Sequence, residues 1–207
     1  MAPTLDEEGR LWRAGYTRVA GLDEVGRGCW AGPVVAAAVI LPLERLRAEP
    51  GLLDGVDDSK RLTARQRQVA AGRVREVALG VGIGLATPAL VDALGIVRAT
   101  LLAMRQALGR LPVVPDFLLV DGLLRINLPC PQRALVRGDS RSLSVAAASV
   151  VAKVYRDALM AAWAGRFPGY GFERHKGYGT RRHQEALRQL GPCPLHRRSF
   201  APLRRRV

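Results

Sequence analysis

Cysteine is scarce in this sequence: three residues in 207, at Cys29, Cys130 and Cys193. Their odd number and wide separation argue against a disulfide framework. They do not make a zinc site either. Cys193 and His196 are three apart, but no second pair stands at ligand spacing to complete a tetrahedron. Also missing is an uninterrupted apolar run of membrane-spanning length. The opening decapeptide, MAPTLDEEGR, carries acids where a secretory leader needs bases, so the expected protein is cytoplasmic, with no membrane partner. No internal repeat or low-complexity linker interrupts the chain. Acids are the last shortage: 18 Asp and Glu face 32 Lys and Arg, a formal net charge of +14.

What is present is a core and a great deal of arginine. Apolar residues make up 48% of the chain, enough to fill one domain of this length. Arginine supplies 29 of the 32 basic residues. Codon usage in a GC-rich genome accounts for part of that, but not for its distribution. From Glu173 to Val207 there are ten Lys or Arg against two acids, including Arg197-Arg198 and Arg204-Arg205-Arg206. Such density is the electrostatic footprint of a phosphate backbone, with a solubilising tail as the alternative.

Periodicity and punctuation predict a mixed α/β chain. A short helix is expected over residues 4–13, then strands from about Arg18 to Glu24 and from about Pro33 to Leu41. A Pro- and Gly-punctuated loop leads to Asp57-Asp58-Ser59-Lys60, where Ser59 or Asp58 is expected to cap a helix over about 63–76. Val77–Ala86 reads as a third strand. Its Gly80-x-Gly82-x-Gly84 has the wrong spacing for a dinucleotide site and opens no helix. Thr87-Pro88 starts a helix that breaks near Gly95 and resumes through Leu108. Strands are then expected over Asp116–Asp121 and Gln132–Arg137, and an alanine-rich helix over Ser142–Trp163. No boundary is evident before about residue 165, so the expectation is one domain over 1–207. It divides into an α/β core to about 165 and a basic C-terminal helical region over about 166–207.

Against this scarcity of acids, four carboxylates stand out. Val19-Ala-Gly-Leu-Asp-Glu-Val-Gly-Arg-Gly28 runs from a strand into Asp23 and Glu24, then into the turn Gly26-Arg27-Gly28. By itself an Asp-Glu pair at a strand end is usually a solvated edge, and Gly-Arg-Gly is usually a plain turn. Yet Asp121 and Asp139 also fall at or just past the ends of expected strands, each beside a glycine. Neighbouring strands would bring all four to one sheet edge, where they repel unless cations neutralise them. Oxygen-only ligands select Mg²⁺ or Mn²⁺ over zinc. Two such ions could hydrolyse a phosphodiester, while the glycine turn and Arg27 offer N–H groups to a phosphate.

The chain resembles the ribonuclease HII (type 2 ribonuclease H) family through several motifs in order. They are GYTRVAGLDEVGRG at 15–28, DDSKRL at 57–62, LLVDG at 118–122, VRGDSRSLSVAAASVVAKVYRD at 136–157, YGFERHKGYGT at 170–180 and HRRSF at 196–200. The resemblance implies a ribonuclease H-like five-stranded mixed sheet flanked by helices, with a small C-terminal helical part. It implies a metal-dependent enzyme that cuts RNA in RNA–DNA hybrids. It also implies cleavage 5′ to a ribonucleotide embedded in duplex DNA, leaving a 3′-hydroxyl and a 5′-phosphate, and so a role in ribonucleotide removal. The family's four acids fall on Asp23, Glu24, Asp121 and Asp139. Its reader of the 2′-hydroxyl falls on Gly26, Arg27 and Gly28, and the tyrosine that stacks on the following deoxyribose falls on Tyr178. Ser59, Lys60, Arg141, Ser149 and Lys153 are candidate phosphate contacts. Cys29-Trp30 departs from the proline and aliphatic residue of many relatives, and Asp57 stands where asparagine is common. The related type HIII enzymes usually lack the arginine motif and carry an extra N-terminal domain. A monomer acting on nucleic acid is expected, and the sequence assigns it no protein partner. The rival readings are another metal-dependent nuclease of the same broad fold, or a non-catalytic binder that would leave the four acids unexplained.

Overall fold

In the computed structural model, residues 2–204 are described, and Arg205 and Arg206 of the basic tail lie outside them. The apolar run of β1 (Val19–Val25) turns back through a tight loop into β2 (Val34–Ile40), and β3 (Gly80–Ala86) extends this antiparallel ribbon. On the other side of β1, β4 (Phe117–Asp121) and β5 (Gln132–Leu135) add in parallel. The sheet is therefore mixed, in the order β3-β2-β1-β4-β5.

The alternation of β2 divides the interior in two, because successive side chains point to opposite faces. Val34, Ala36, Ala38 and Ile40 pack with Leu22 and Val120 against Ala103, Met104 and Ala107 of the helix Ile96–Gly109. Val35, Ala37 and Val39 pack against Ala147, Val150 and Val151 of the helix Leu143–Arg166, with Ala71 and Val74 of the helix Ala64–Val77 beside them. In chain order the helices are α1 (Asp6–Arg13), α2 (Leu43–Ala48), α3 (Ala64–Val77), α4 (Pro88–Leu94), α5 (Ile96–Gly109), α6 (Leu143–Arg166), α7 (Phe172–His175) and α8 (Arg181–Leu190). α7 and α8 form the small C-terminal part, joined to the core through Ala31, Met160, Tyr170, Phe172 and Leu195. Among the described residues no helix is long and apolar enough to cross a membrane.

The glycines of β3 serve packing. A Cβ on Gly82 or Gly84 would sit 2.0 Å from the carbonyl oxygen of Ala107 or Ala103, so only glycine lets α5 lie this close to the sheet.

Several boundaries differ from the sequence reading. The helix expected at 63–76 is capped by Thr63, not Ser59 or Asp58. Its hydroxyl accepts from Gln66 N, and the Gln66 side chain accepts from Thr63 N, a reciprocal capping box. That helix continues through Val77, so β3 starts three residues later, at Gly80. The loop after β2 holds α2 and a 3₁₀ turn at Pro50–Leu53, because Leu43, Leu46 and Leu53 find a buried groove. β5 stops at Leu135, where the chain enters a left-handed conformation at Arg137 (φ 55°). Trp163 does not end α6, which runs on to Arg166.

Candidate active site

The parallel pairing of β1 with β4 builds the site. Leu22 pairs with Val120, and one residue further on Asp23 and Asp121 leave the two strands side by side. Asp121 pairs with Leu135 of β5, and the chain then folds into a 3₁₀ turn, Gly138–Ser140, carrying Asp139. Gly138 N donates to Asp121 Oδ1 at 2.7 Å, which ties that turn to the end of β4. The strand directs Asp23 towards α6, where Ser149 hydrogen-bonds to it, and its neighbour Glu24 to the opposite face. Glu24 reaches instead to Arg27, whose Nη1 donates to Oε1 at 3.1 Å. Among the described residues, Glu24 Oε2 is buried without a partner.

These acids strain against one another. Burial holds the Asp23 carboxyl well above the usual aspartate range, and the charges of Asp121 and Glu24 push it further. Burial also raises Glu24, against the pull of Arg27. Asp121 is raised by burial and by Asp139, although Gly138 N–H favours its charged form. Lys60 is the counter-charge: its Nζ lies 3.0 Å from Asp139 Oδ2 and 3.8 Å from Asp58 Oδ1. Burial works against the Lys60 ammonium, but the bond to Asp139 together with the charges of Asp139, Asp58 and Asp23 outweighs it and raises the pKa.

The donor set suits a hard cation: oxygen only, repulsive, with one orphaned carboxylate oxygen. Among the described residues, however, no three His, Cys, Asp or Glu side chains yet surround a common point. Lys60 and Arg27 supply the positive charge here.

The other expected residues sort into two groups. Gly26-Arg27-Gly28 forms the turn immediately after β1, and Tyr178 lies across from it on the loop after α7, half-exposed. Lys153 Nζ is 5.8 Å from the Tyr178 ring centroid and 2.8 Å from Asp157 Oδ1. Ser59 and Ser149 are buried and bonded to each other at 2.8 Å, beneath Asp23. Arg141 is held by Glu7, Nη2 to Oε1 at 2.6 Å, on the side of the Asp139 turn that faces α1. One expectation about the basic surface fails: Arg197 is fully buried and donates to the Gly32 and Arg27 carbonyls. Sequence reasoning passed over Arg156, also fully buried. Its signal was faint: with Lys153, one turn away, it is a cation on a largely apolar, alanine-rich helix.

The family model described as Ribonuclease HII matches residues 20–203. The chain belongs to the ribonuclease HII family. A ribonuclease HII of Chloroflexus aurantiacus is 55% identical over 203 residues, covering 98% of this chain and 95% of that one. The ribonuclease HII of Roseiflexus castenholzii is 54% identical, covering 97% and 89%. Among solved structures, the ribonuclease H2 of Pyrococcus horikoshii superposes with a TM-score of 0.73 at 25% identity, over 90% of this chain and 95% of that one. Ribonuclease HIII in complex with Mn²⁺ shares the fold at 20% identity, with a TM-score of 0.68 over 91% of this chain and 68% of that one. As a ribonuclease HII the chain is a ribonuclease H hydrolase, an endonuclease acting on RNA in RNA–DNA hybrids, and dependence on a divalent metal ion goes with the family.

Proposed function

We propose that this ribonuclease also cuts 5′ to single ribonucleotides embedded in duplex DNA, with Asp23, Glu24, Asp121 and Asp139 as its catalytic and metal-holding acids. The observation that carries the reading is Asp23: buried, beside Asp121 and Glu24, at the joint end of two parallel strands and three residues ahead of the Gly-Arg-Gly turn. Crowding three repelling carboxylates, one buried and two partly buried, costs the fold stability, and a cation offsets that cost. Mg²⁺ or Mn²⁺, when bound, supplies Lewis acidity at the scissile phosphate and an activated water.

The chain's own residues do the rest. Asp23 is fixed by its bond from Glu24 N at 2.7 Å and by Ser149, itself braced by Ser59. These two serines therefore orient an acid; they are too buried to reach a phosphate first. Lys60 is largely exposed and is the strongest candidate for a phosphate contact, moving from Asp139 to the substrate. Lys153 lies next to Tyr178, and Arg141 needs release from Glu7 to serve. The Gly26-Arg27-Gly28 turn faces the 2′-hydroxyl, the one group that separates ribose from deoxyribose, and Tyr178 stacks on the deoxyribose that follows. The protein acts as a monomer on duplexes, in ribonucleotide removal from DNA. Single-turnover cleavage of a duplex with one ribonucleotide and of a continuous hybrid, each with Mg²⁺, Mn²⁺ or chelator, tests this. Cleavage of the hybrid alone, or cutting on the 3′ side of the ribonucleotide, would refute it.

A further inference from the structure

We propose that Arg156 and Arg197 form a buried guanidinium clamp that sets the spacing between the Gly26-Arg27-Gly28 turn and Tyr178, making both arginines positioning residues for junction recognition. This rests on the reading of those two elements given above. Both side chains are fully buried. A buried arginine normally faces a carboxylate. Here the guanidinium hydrogen bonds go to backbone carbonyls instead, three from each arginine, among the described residues.

Those carbonyls belong to the segments that carry the two reading elements. Arg156 donates from Nε to Pro33 O at 2.9 Å and from Nη2 to Ala31 O at 3.0 Å, both on the loop that follows the turn. Its Nη1 reaches Lys176 O at 2.9 Å, two residues before Tyr178. Arg197 donates from Nη1 to Arg27 O at 2.8 Å, and from Nε and Nη2 to Gly32 O at 3.0 and 2.8 Å. The first guanidinium thus bridges the two loops, and the second fastens the turn to the loop behind it.

Packing makes the joint rigid. Gly26 lies directly on Arg156, with φ at +89°, and a Cβ there would stand 2.2 Å from Arg156 Nε. Gly177 O accepts from Trp30 N at 2.9 Å and from Ala31 N at 3.3 Å, so the two loops also bond to each other. The Tyr178 ring centroid is 5.9 Å from Arg156 Cζ, and its hydroxyl shares a hydrogen bond with Cys29. A guanidinium holds several carbonyls in one plane, which an ammonium does not. Reading a ribose and the next deoxyribose together requires two contacts at one fixed separation, and displacement of about 1 Å is enough to cost much of the rate. A continuous hybrid presents no such junction and needs the separation less.

The experiment compares Arg156→Lys and Arg197→Lys with the parent in single-turnover cleavage of a lone-ribonucleotide duplex and of a continuous hybrid. Both variants keep the charge and lose the fork. The expected result is a cooperative thermal transition, a fall of about tenfold or more in the ratio of lone-ribonucleotide to hybrid cleavage, and a change carried by the maximal single-turnover rate, with the enzyme concentration at half-saturation little moved. Equal losses on both substrates in folded variants, or no loss on either, would overturn the clamp. Should a lysine variant not fold, Gly32→Ala decides: it lies outside both reading elements, its Cβ would stand 3.2 Å from Arg156 Nη2, and its carbonyl accepts two of the Arg197 bonds, so it must lower the same ratio; an unchanged ratio there also overturns the clamp. A parent enzyme inactive on the lone ribonucleotide would instead sink the junction reading itself, which keeps the two failures apart.

Discussion

Glu8 offers the sharpest test of how the site is held, because it is fully buried and half satisfied. Its Oε1 accepts from Ser142 Oγ at 2.6 Å, Ser144 Oγ at 2.6 Å and Ser144 N at 2.9 Å, while Oε2 has no partner among the described residues. Burial raises its pKa, against hydrogen bonds that favour the charged form. Ser142 caps α6 immediately after the Asp139 turn, so Glu8 ties α1 to the turn that carries a catalytic acid. In Glu8→Ala, Ser144 N loses its acceptor, whereas the two hydroxyls, already 3.1 Å apart, can pair with each other. One buried orphan donor costs about 1–3 kcal/mol, one lost hydroxyl bond adds about 1 kcal/mol, and relief of the buried Oε2 returns about 1 kcal/mol, for a net loss of about 1–3 kcal/mol. At roughly 2–4 °C per kcal/mol for a chain of this size, Tm falls by about 2–12 °C. Glu8→Gln keeps the acceptor and costs below about 1.5 kcal/mol. A raised carboxyl pKa means that stability from neutral Glu8 is fully present below the ordinary value of 4.5 and is lost as pH rises through the raised one. The glutamine variant therefore gains on the parent from pH 5 to pH 8. Thermal unfolding followed by circular dichroism at those two pH values measures all three quantities. An alanine variant within about 2 °C of the parent, or a glutamine variant as damaging as alanine, would refute the reasoning.

Other outcomes follow from the same geometry. Asp121→Asn keeps an acceptor for Gly138 N, so it should fold normally yet lose cleavage with either metal; substantial residual cleavage would remove Asp121 from the site. Asp23→Asn should also be inactive but more stable than the metal-free parent. Its advantage should grow as pH rises above 3.8 through the raised Asp23 pKa, and a variant less stable than the parent at pH 8 would contradict the repulsion argument. Tyr178→Ala should slow cleavage at a lone ribonucleotide by about ten- to a thousandfold, and more than it weakens binding. Arg27→Ala should impair recognition of the ribonucleotide itself and free Glu24; equal, small losses on both substrates for these two variants would sink the account of junction reading. His183 and His196 meet Nε2 to Nε2 at 3.0 Å, and burial lowers both pKa values to about 4. Stability from these neutral rings is complete above pH 6.5 and is lost as pH falls towards 4, so hydrogen exchange in α8 should accelerate over that window.

The local sequence was enough for a good deal of this protein. β2 is apolar at every position and could only be a buried strand, and Thr87-Pro88 marked a helix start that the chain obeys. The four acids stood out because a chain this basic places so few carboxylates beside glycines at strand ends. Motif order along nearly the whole chain identified the family. Caps and short helices were less legible: Thr63 and Ser59 are equally good capping residues, and only the reciprocal bond with Gln66 chose between them.

Tertiary structure decided what each charge is for. Nothing local separates Arg197 from Arg198 in the sequence, yet Arg197 is fully buried beneath the Gly-Arg-Gly turn while the backbone N–H of Arg198 donates to Asp92. Arg156 gains its role only where α6 lies against two loops whose carbonyls accept from it. The partners of the acids were equally hidden: Lys60 reaches Asp139 across 79 residues, and Gly138 N reaches Asp121 across 17. The sequence carries residue type, periodicity and order, which fix elements and list candidate chemistry. Burial and partnership arise only when distant segments meet, and in a low dielectric they decide whether a charge binds substrate, braces a loop or calls for a counter-ion.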